Sequence, residues 1–269
     1  MFKSNYHTHT YYSDGKNSPT EMIESAIALG FTSLGFSDHA YMSHDGTWCM
    51  TEEQTVEYYN ELKILKEKYK DKINIYIGLE LDALSDGVLP ELDFTLGSVH
   101  YIPKCGTYME IDHSGELMLS NIEKYYGGDV YTYCEEYYEL VSNIVETTHC
   151  DFIGHIDLVT KFNEGDSMFD TKNKRYVNAW KKAVDKLLKY DIPFEINTGA
   201  IARKKRLTPY PALDIADYIA SNGGKFILTS DCHDAAMLDC FFKECEDIYG
   251  KYEILDFEDI LKAKNDKCS

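Results

Sequence analysis

Seven short apolar runs, each followed by a stretch of helical periodicity, constrain the fold of this 269-residue chain more than any other feature. The runs are 5–9, 33–38, 73–80, 94–100, 152–156, 194–197 and 226–230. Their hydrophobicity is nearly continuous rather than alternating, which is the pattern of parallel strands covered on both faces. Strand alternating with helix builds a parallel sheet, in one of two arrangements: a closed α/β barrel or an open, doubly wound sheet. The helices between the runs carry start signals. Ser18-Pro19-Thr20-Glu21 supplies a capping serine, a proline at the first helical position and a glutamate that can reach back. Thr51-Glu52-Glu53-Gln54 repeats that logic, and further helices are predicted at about 133–148, 174–189, 213–221 and 238–249. The segment 101–129, with four glycines, is read as irregular, a lid or substrate loop.

The polar residues favour the barrel. His7-Thr8-His9 closes the first run, and a spacing of two on extended chain turns both imidazoles to one side. Asp38-His39 closes the second, Glu80 the third, His100 the fourth and His155 the fifth, while Asp231-Cys232-His233 closes the last. In a parallel barrel all strand C-termini open onto one face, so these scattered residues converge in one mouth. Histidine and carboxylate donors at such spacing are the ligand set of divalent metals. His44, His113 and His149 fall outside the pattern and are read as surface residues. Cys232 sits between two candidate ligands, but neighbours along a strand face opposite ways.

Bulk composition narrows the partners. The net charge of −19 argues against nucleic acid and anionic membrane as partners, although bound metals can reverse the field inside a pocket. Eight cysteines without Cys-x-x-Cys spacing point to reduced thiols and a cytoplasmic protein. No apolar stretch approaches the roughly 18–20 residues that span a bilayer. The histidine motif begins too near Met1 for a signal peptide to precede it. Oligomeric state is not legible in any motif. Basic residues are sparse, yet Arg203-Lys204-Lys205-Arg206 stand together just past the sixth run. Beside a metal mouth they read as a guanidinium clamp for phosphate.

Taken in order, His7-x-His9, Ser37-Asp38-His39, Gly78-Leu79-Glu80, Gly97-Ser98-Val99-His100, Gly154-His155 and Ser230-Asp231-x-His233 resemble the polymerase-and-histidinol-phosphatase (PHP) superfamily along nearly the whole chain. Ser98-Val99-His100-Tyr101, Gly154-His155-Ile156-Asp157-Leu158 and Asn197-Thr198-Gly199 resemble its histidinol-phosphate phosphatase branch. The resemblance implies a distorted (β/α)7 TIM-like barrel, a single domain over 1–269 and three divalent ions, Zn, Mn or Fe. It implies one ion on His7, His9, Glu80 and Asp231, and a second sharing Glu80 with His100 and His155. A third would take His39, His233 and Asp14. Lys161 stands where relatives can carry a phosphate-binding arginine. The expected reaction is hydrolysis of a small phosphate monoester, L-histidinol phosphate, in histidine biosynthesis. Glu80, Asp231, His233 and Arg203 would carry it, with Arg203, Arg206 and Lys161 on the phosphate and Asp157 a candidate proton source for the leaving group. Alternatives within the superfamily are a phosphodiesterase or exonuclease and a protein-tyrosine phosphatase; a metal store is the alternative without catalysis.

Overall fold

The computed structural model describes residues 2–261. In chain order its strands are β1 (Ser4–Asn5), β2 (Ser33–Phe36), β3 (Asn74–Asp82), β4 (Phe94–Ser98), β5 (Tyr101–Lys104), β6 (Thr107–Glu110), β7 (Phe152–Ile153), β8 (Phe194–Asn197) and β9 (Phe226–Thr229). Seven of them pair in parallel in the order β1-β2-β3-β4-β7-β8-β9. The seam between the first and last closes just past the strand ends. There His9 N donates to Cys232 O at 2.8 Å and Cys232 N to His7 O at 3.1 Å. The sheet is therefore a nearly closed barrel, as the strand-end polar residues predict, and not an open doubly wound sheet.

Tyr6, Phe94, Leu96, Phe152 and Ile227 come from four sides of this ring and pack together with Phe257 and Ile260. Residues from four strands of a ring can meet only inside it, so this cluster plugs the lower barrel and leaves the upper end for polar groups. Gly78 is required by the plug, because a Cβ there would lie 2.5 Å from the Phe94 ring. A second, larger core lies between the strands and the outer helices.

The outer elements are α1 (Pro19–Ala28), α2 (Glu52–Tyr69), α3 (Gly115–Tyr126), α4 (Val130–Ser142), α5 (Ile144–Thr148), α6 (Lys174–Leu187), α7 (Gly199–Ala202), α8 (Leu213–Ser221) and α9 (Phe242–Tyr249). Both predicted capping boxes are formed, Ser18 with Glu21 and Thr51 with Gln54. Three expectations are corrected. The helix expected at 133–148 is two helices, broken at Asn143, whose side-chain amide donates to Glu139 O at 2.7 Å. The helix expected from 238 begins at Phe242, because Phe241 takes a left-handed backbone, φ 64°. The segment 101–129 is not an irregular loop. It forms the β5–β6 hairpin and α3, since Tyr101, Ile102, Met109 and Ile111 all bury their side chains and Ser114 caps the helix.

The seven described cysteines are unpaired, and Cys268 lies outside the described residues. Among the described residues no helix is long and apolar enough to cross a membrane.

A candidate metal centre at the barrel mouth

Most of the predicted ligands lie on the short connections just past the strands rather than within them. β2 stops at Phe36, β4 at Ser98 and β9 at Thr229; β3 alone runs on through Glu80 to Asp82. That extra length carries Glu80 to the centre of the mouth, where its two oxygens face different groups. Oε2 lies 3.0 Å from His39 Nδ1, 3.1 Å from His7 Nε2 and 3.4 Å from His9 Nε2. Oε1 lies 3.1 Å from His155 Nε2 and 3.5 Å from His100 Nε2. Asp231 Oδ1 stands 3.3 Å from His9 Nε2 and 3.6 Å from His7 Nε2. Asp14 faces His233 Nε2 at 3.1 Å, His9 Nδ1 at 3.6 Å and His39 Nε2 at 3.7 Å. The structure thus brings together all nine predicted ligands. Sets such as His9, Asp14, His39 and His233, or His7, Glu80 and His155, have donor atoms close enough to share one ion.

The chemistry of this donor set fits a cation. His9 is fully buried, and neither ring nitrogen has a hydrogen-bond partner. Buried polar atoms left in that state are costly, and a metal bound to one nitrogen would relieve part of that cost. Burial, reinforced by His233 and His39, pushes the His9 pKa down to about 3, so the ring is neutral at neutral pH and offers one nitrogen lone pair. Burial also opposes charge on His7, but Glu195, Glu80 and Asp231 outweigh it and hold the His7 pKa well above its usual value. Burial would raise the Glu80 carboxyl, yet His7, His39 and His100 overcome it and hold the group ionised. For Asp231 the same burial is overcome by Arg203 and His7. Asp231 also sits at φ 46°, a left-handed backbone that a non-glycine residue adopts at a cost and that is concentrated at functional sites.

Three carboxylates behind the ligands escaped the sequence reading as supports. Glu195 Oε1 accepts from His7 Nδ1 and from Thr229 Oγ1, both at 2.5 Å, while its Oε2 accepts from His155 N at 2.7 Å. Asp82 Oδ2 accepts from His100 N at 2.6 Å and lies 3.3 Å from His100 Nδ1. Asp38 accepts from Thr10 N at 2.8 Å and from Ser13 Oγ at 2.6 Å, which ties down the turn bearing Asp14. Their signal was spacing: Asp82 and Glu80 share a face of β3, and Glu195 and Asn197 share a face of β8.

A cleft of about 220 Å³ opens over the centre and is lined by ligands together with Arg203, Lys161, Trp48, Glu110 and Asp112. Arg203 points into it, with Nη2 donating to Asp231 Oδ2 at 2.7 Å and Nη1 2.7 Å from His233 Nδ1. Lys161 reaches the wall but donates to Asp112 Oδ2 at 2.9 Å. Arg206 does not line the cleft. It is buried among Thr160, Thr208 and Tyr210, 3.7 Å from Asp157 Oδ2, so of the expected phosphate contacts Arg203 and Lys161 reach the cleft and Arg206 does not, while Lys204 and Lys205 are exposed. Asp157 likewise lies beneath the site, fully buried and accepting from Ala212 N at 3.0 Å. His113 and His149 are exposed as expected; His44 is half-buried, stacked on Tyr108 with centroids 3.9 Å apart.

Comparison with known proteins places this geometry. The "Probable histidinol-phosphatase" of Deinococcus radiodurans is 29% identical over 247 residues, 87% of this chain and 88% of that protein. The histidinol-phosphatase of Lactococcus lactis is 27% identical over 250 residues, covering 87% of this chain and 86% of the relative. Among solved structures, the Lactococcus lactis histidinol phosphate phosphatase, crystallised with zinc, L-histidinol and phosphate, superposes with a TM-score of 0.71 at 21% identity. The match covers 94% of this chain and 95% of that one. Residues 5–199 match the PHP domain, a span that holds β2 to β8 and seven of the nine ligand positions, and the chain belongs to that family.

Proposed function

We propose that this protein is a metal-dependent phosphatase that hydrolyses L-histidinol phosphate to L-histidinol and phosphate. The observation that carries the reading is the placement of Arg203 beside Asp231 and His233, at the edge of nine converged metal donors. The histidinol-phosphatase names of relatives aligned along most of the chain supply the substrate. The whole chain, 1–269, is read as one catalytic domain.

His7, His9, Glu80 and Asp231 would hold one divalent ion, Glu80, His100 and His155 a second, and Asp14, His39 and His233 a third. Bound there, zinc, manganese or iron supplies the positive charge and the activation of water that hydrolysis at phosphorus needs. The chain's own groups do the rest. Glu80 spans two ligand groups and fixes their separation. Arg203 offers a planar fork of N–H donors for phosphate oxygens, held in place before substrate arrives by Asp231. Lys161, 8% exposed, adds a positive charge at the wall. Arg206 is assigned no contact with phosphate, because its guanidinium is engaged below the cleft.

The test is phosphate release by protein loaded with manganese or zinc, on histidinol phosphate, an aryl monoester and an aryl phosphodiester. Histidinol phosphate should be preferred by orders of magnitude, and Arg203→Ala should lose about 10²-fold or more in kcat/KM. A preference for the diester would move the protein to the nuclease side of its family. Full turnover by His7→Ala, His9→Ala and Glu80→Ala would remove the metal centre from the mechanism.

A further inference from the structure

The two cations that line the cleft, Lys161 and Arg203, stand on different connections. Lys161 ends the short helical turn Leu158–Thr160 after β7, and Arg203 ends α7 after β8. β7 and β8 pair at Ile153 and Phe194 alone, so the barrel ladder does not reach either connection. The chain leaves α7 through Lys204, which takes a left-handed backbone at φ 56°. Lys205 N donates to Ala200 O at 2.8 Å and Lys204 N to Ile201 O at 2.9 Å, the pair of bonds that closes a helix end. A lysine in that conformation persists only where its surroundings hold it there. The turn also parts two guanidinium groups only three residues apart: Arg203 lines the cleft, and Arg206 lies beneath it. There Arg206, 8% exposed, donates from Nη1 to Thr160 Oγ1 and lies 3.7 Å from Asp157 Oδ2, with its guanidinium carbon 4.3 Å from the Tyr210 ring centroid. Fully buried Asp157 adds a second tie between the same connections, because its Oδ2 accepts from Ala212 N at 3.0 Å. Burial raises the Asp157 carboxyl, and Arg206 is the largest influence that opposes it.

We infer that Arg206 and Asp157 are a positioning pair: by clamping the connection after β8 to the connection after β7, they set where Arg203 stands over the metal donors and how far it lies from Lys161. The inference rests on the phosphatase reading and adds to it two residues that touch neither the cleft nor a metal donor. A buried ion pair recovers through attraction little more than desolvation costs, so stability alone is a weak reason to have one, and a geometry that it fixes is a better one. Asp157, which lies too deep to protonate a leaving group, has here a role that it fills from where it stands.

The experiment is a mutant cycle on metal-loaded protein, read by metal content, by kcat and KM on histidinol phosphate, and by competitive inhibition with inorganic phosphate. Arg206→Met should weaken inhibition by phosphate about tenfold and raise KM alike, with metal content unchanged and kcat moved less. Introduced into Arg203→Ala, the same substitution should change either constant by less than about twofold, because the group it positions is already gone. Arg206→Lys, which keeps the charge and loses the planar fork, should recover part of the affinity. Arg206→Met leaves Asp157 buried and unpaired, so Asp157→Asn with Arg206→Met, which removes both charges, is carried through the same cycle and keeps the test open if the single variant fails to fold. Undiminished phosphate affinity in both variants, or a full further loss in the Arg203→Ala background, would overturn the pair's positioning role and leave the phosphatase standing. Wild type that releases no phosphate from histidinol phosphate would overturn the function, and the inference with it.

Discussion

Glu80 serves two sets of ligands with one carboxylate, so the residues that fix its histidines matter as much as the histidines themselves. Glu195 is the strongest case. It is fully buried, accepts from His7 Nδ1, and thereby directs Nε2 of the same ring toward Glu80. A carboxylate behind a ligating imidazole sets its tautomer and raises its basicity, and losing such a group costs about 10–100-fold in metal affinity or activity. Glu195→Gln keeps shape and removes charge; metal titration of the variant should show a loss in that range, and unchanged affinity would reduce Glu195 to a packing role. The ligands themselves were legible in the sequence, because histidine and carboxylate recurred at strand ends. The supports were not. A buried glutamate inside a strand has the same local signature whether it braces a ligand or pairs with a distant cation, and only the contacts to His7, Thr229 and His155 separate the two. Arg206 shows the converse error: adjacency to Arg203 in sequence placed it on phosphate, while one turn of chain took it to Asp157 and Tyr210.

At the scale of elements, the junction of β8 with α7 brings backbone close against the centre. A Cβ on Gly199 would stand 2.7 Å from both Asp231 Cβ and Asp231 Oδ2, so any side chain there must displace a ligand that already occupies a left-handed backbone. Gly199→Ala should fold, with Asp231 shifted from its Cβ outward. It should nevertheless lose activity, about 10²-fold for a shift near 1 Å. Kinetics and a melting curve on the same sample check this; a fully active variant would show that Asp231 has slack. The barrel itself was readable because period and order of apolar runs are properties of the chain alone. Element ends were less so. β7 is only two residues long, and its apolar run continues into the connection that holds His155, since burial beneath the mouth demands apolar residues whether or not they are strand. The β5–β6 hairpin was hidden because the four glycines of 101–129 read as an irregular loop, although Gly106, at φ 76°, makes the hairpin turn together with Cys105, at φ 50°.

For the molecule as a whole, metal binding, protonation and stability are one equilibrium. Burial disfavours charge on His7, His39 and His100, but surrounding carboxylates win: Glu195 and Glu80 for His7, Glu80 and Asp14 for His39, Glu80 and Asp82 for His100, whose pKa rises to about 9. In metal-free protein at neutral pH His7 and His100 therefore carry protons, and His39 is biased the same way. Metal must expel those protons, so its apparent affinity should climb as pH rises toward about 9. The sign for the fold runs the other way. A group whose folded pKa is raised stabilises the metal-free protein fully below its unfolded value near 6.5, and that contribution is lost as pH rises through the folded value. Between about pH 6.5 and 9 the metal-free protein should thus lose stability while the loaded protein keeps it. A hundredfold excess of metal over Kd stabilises by about 2.7 kcal/mol, roughly 5–10 °C in Tm for a chain of this size. Melting curves with and without chelator at pH 6.5 and pH 9 measure both effects. The metal-induced rise in Tm should be larger at pH 9, with proton release on titration detectable in buffers of different ionisation enthalpy. Equal rises at the two pH values would mean that the histidines of the empty mouth are already neutral, and that the carboxylates around them are held in check by something other than those protons.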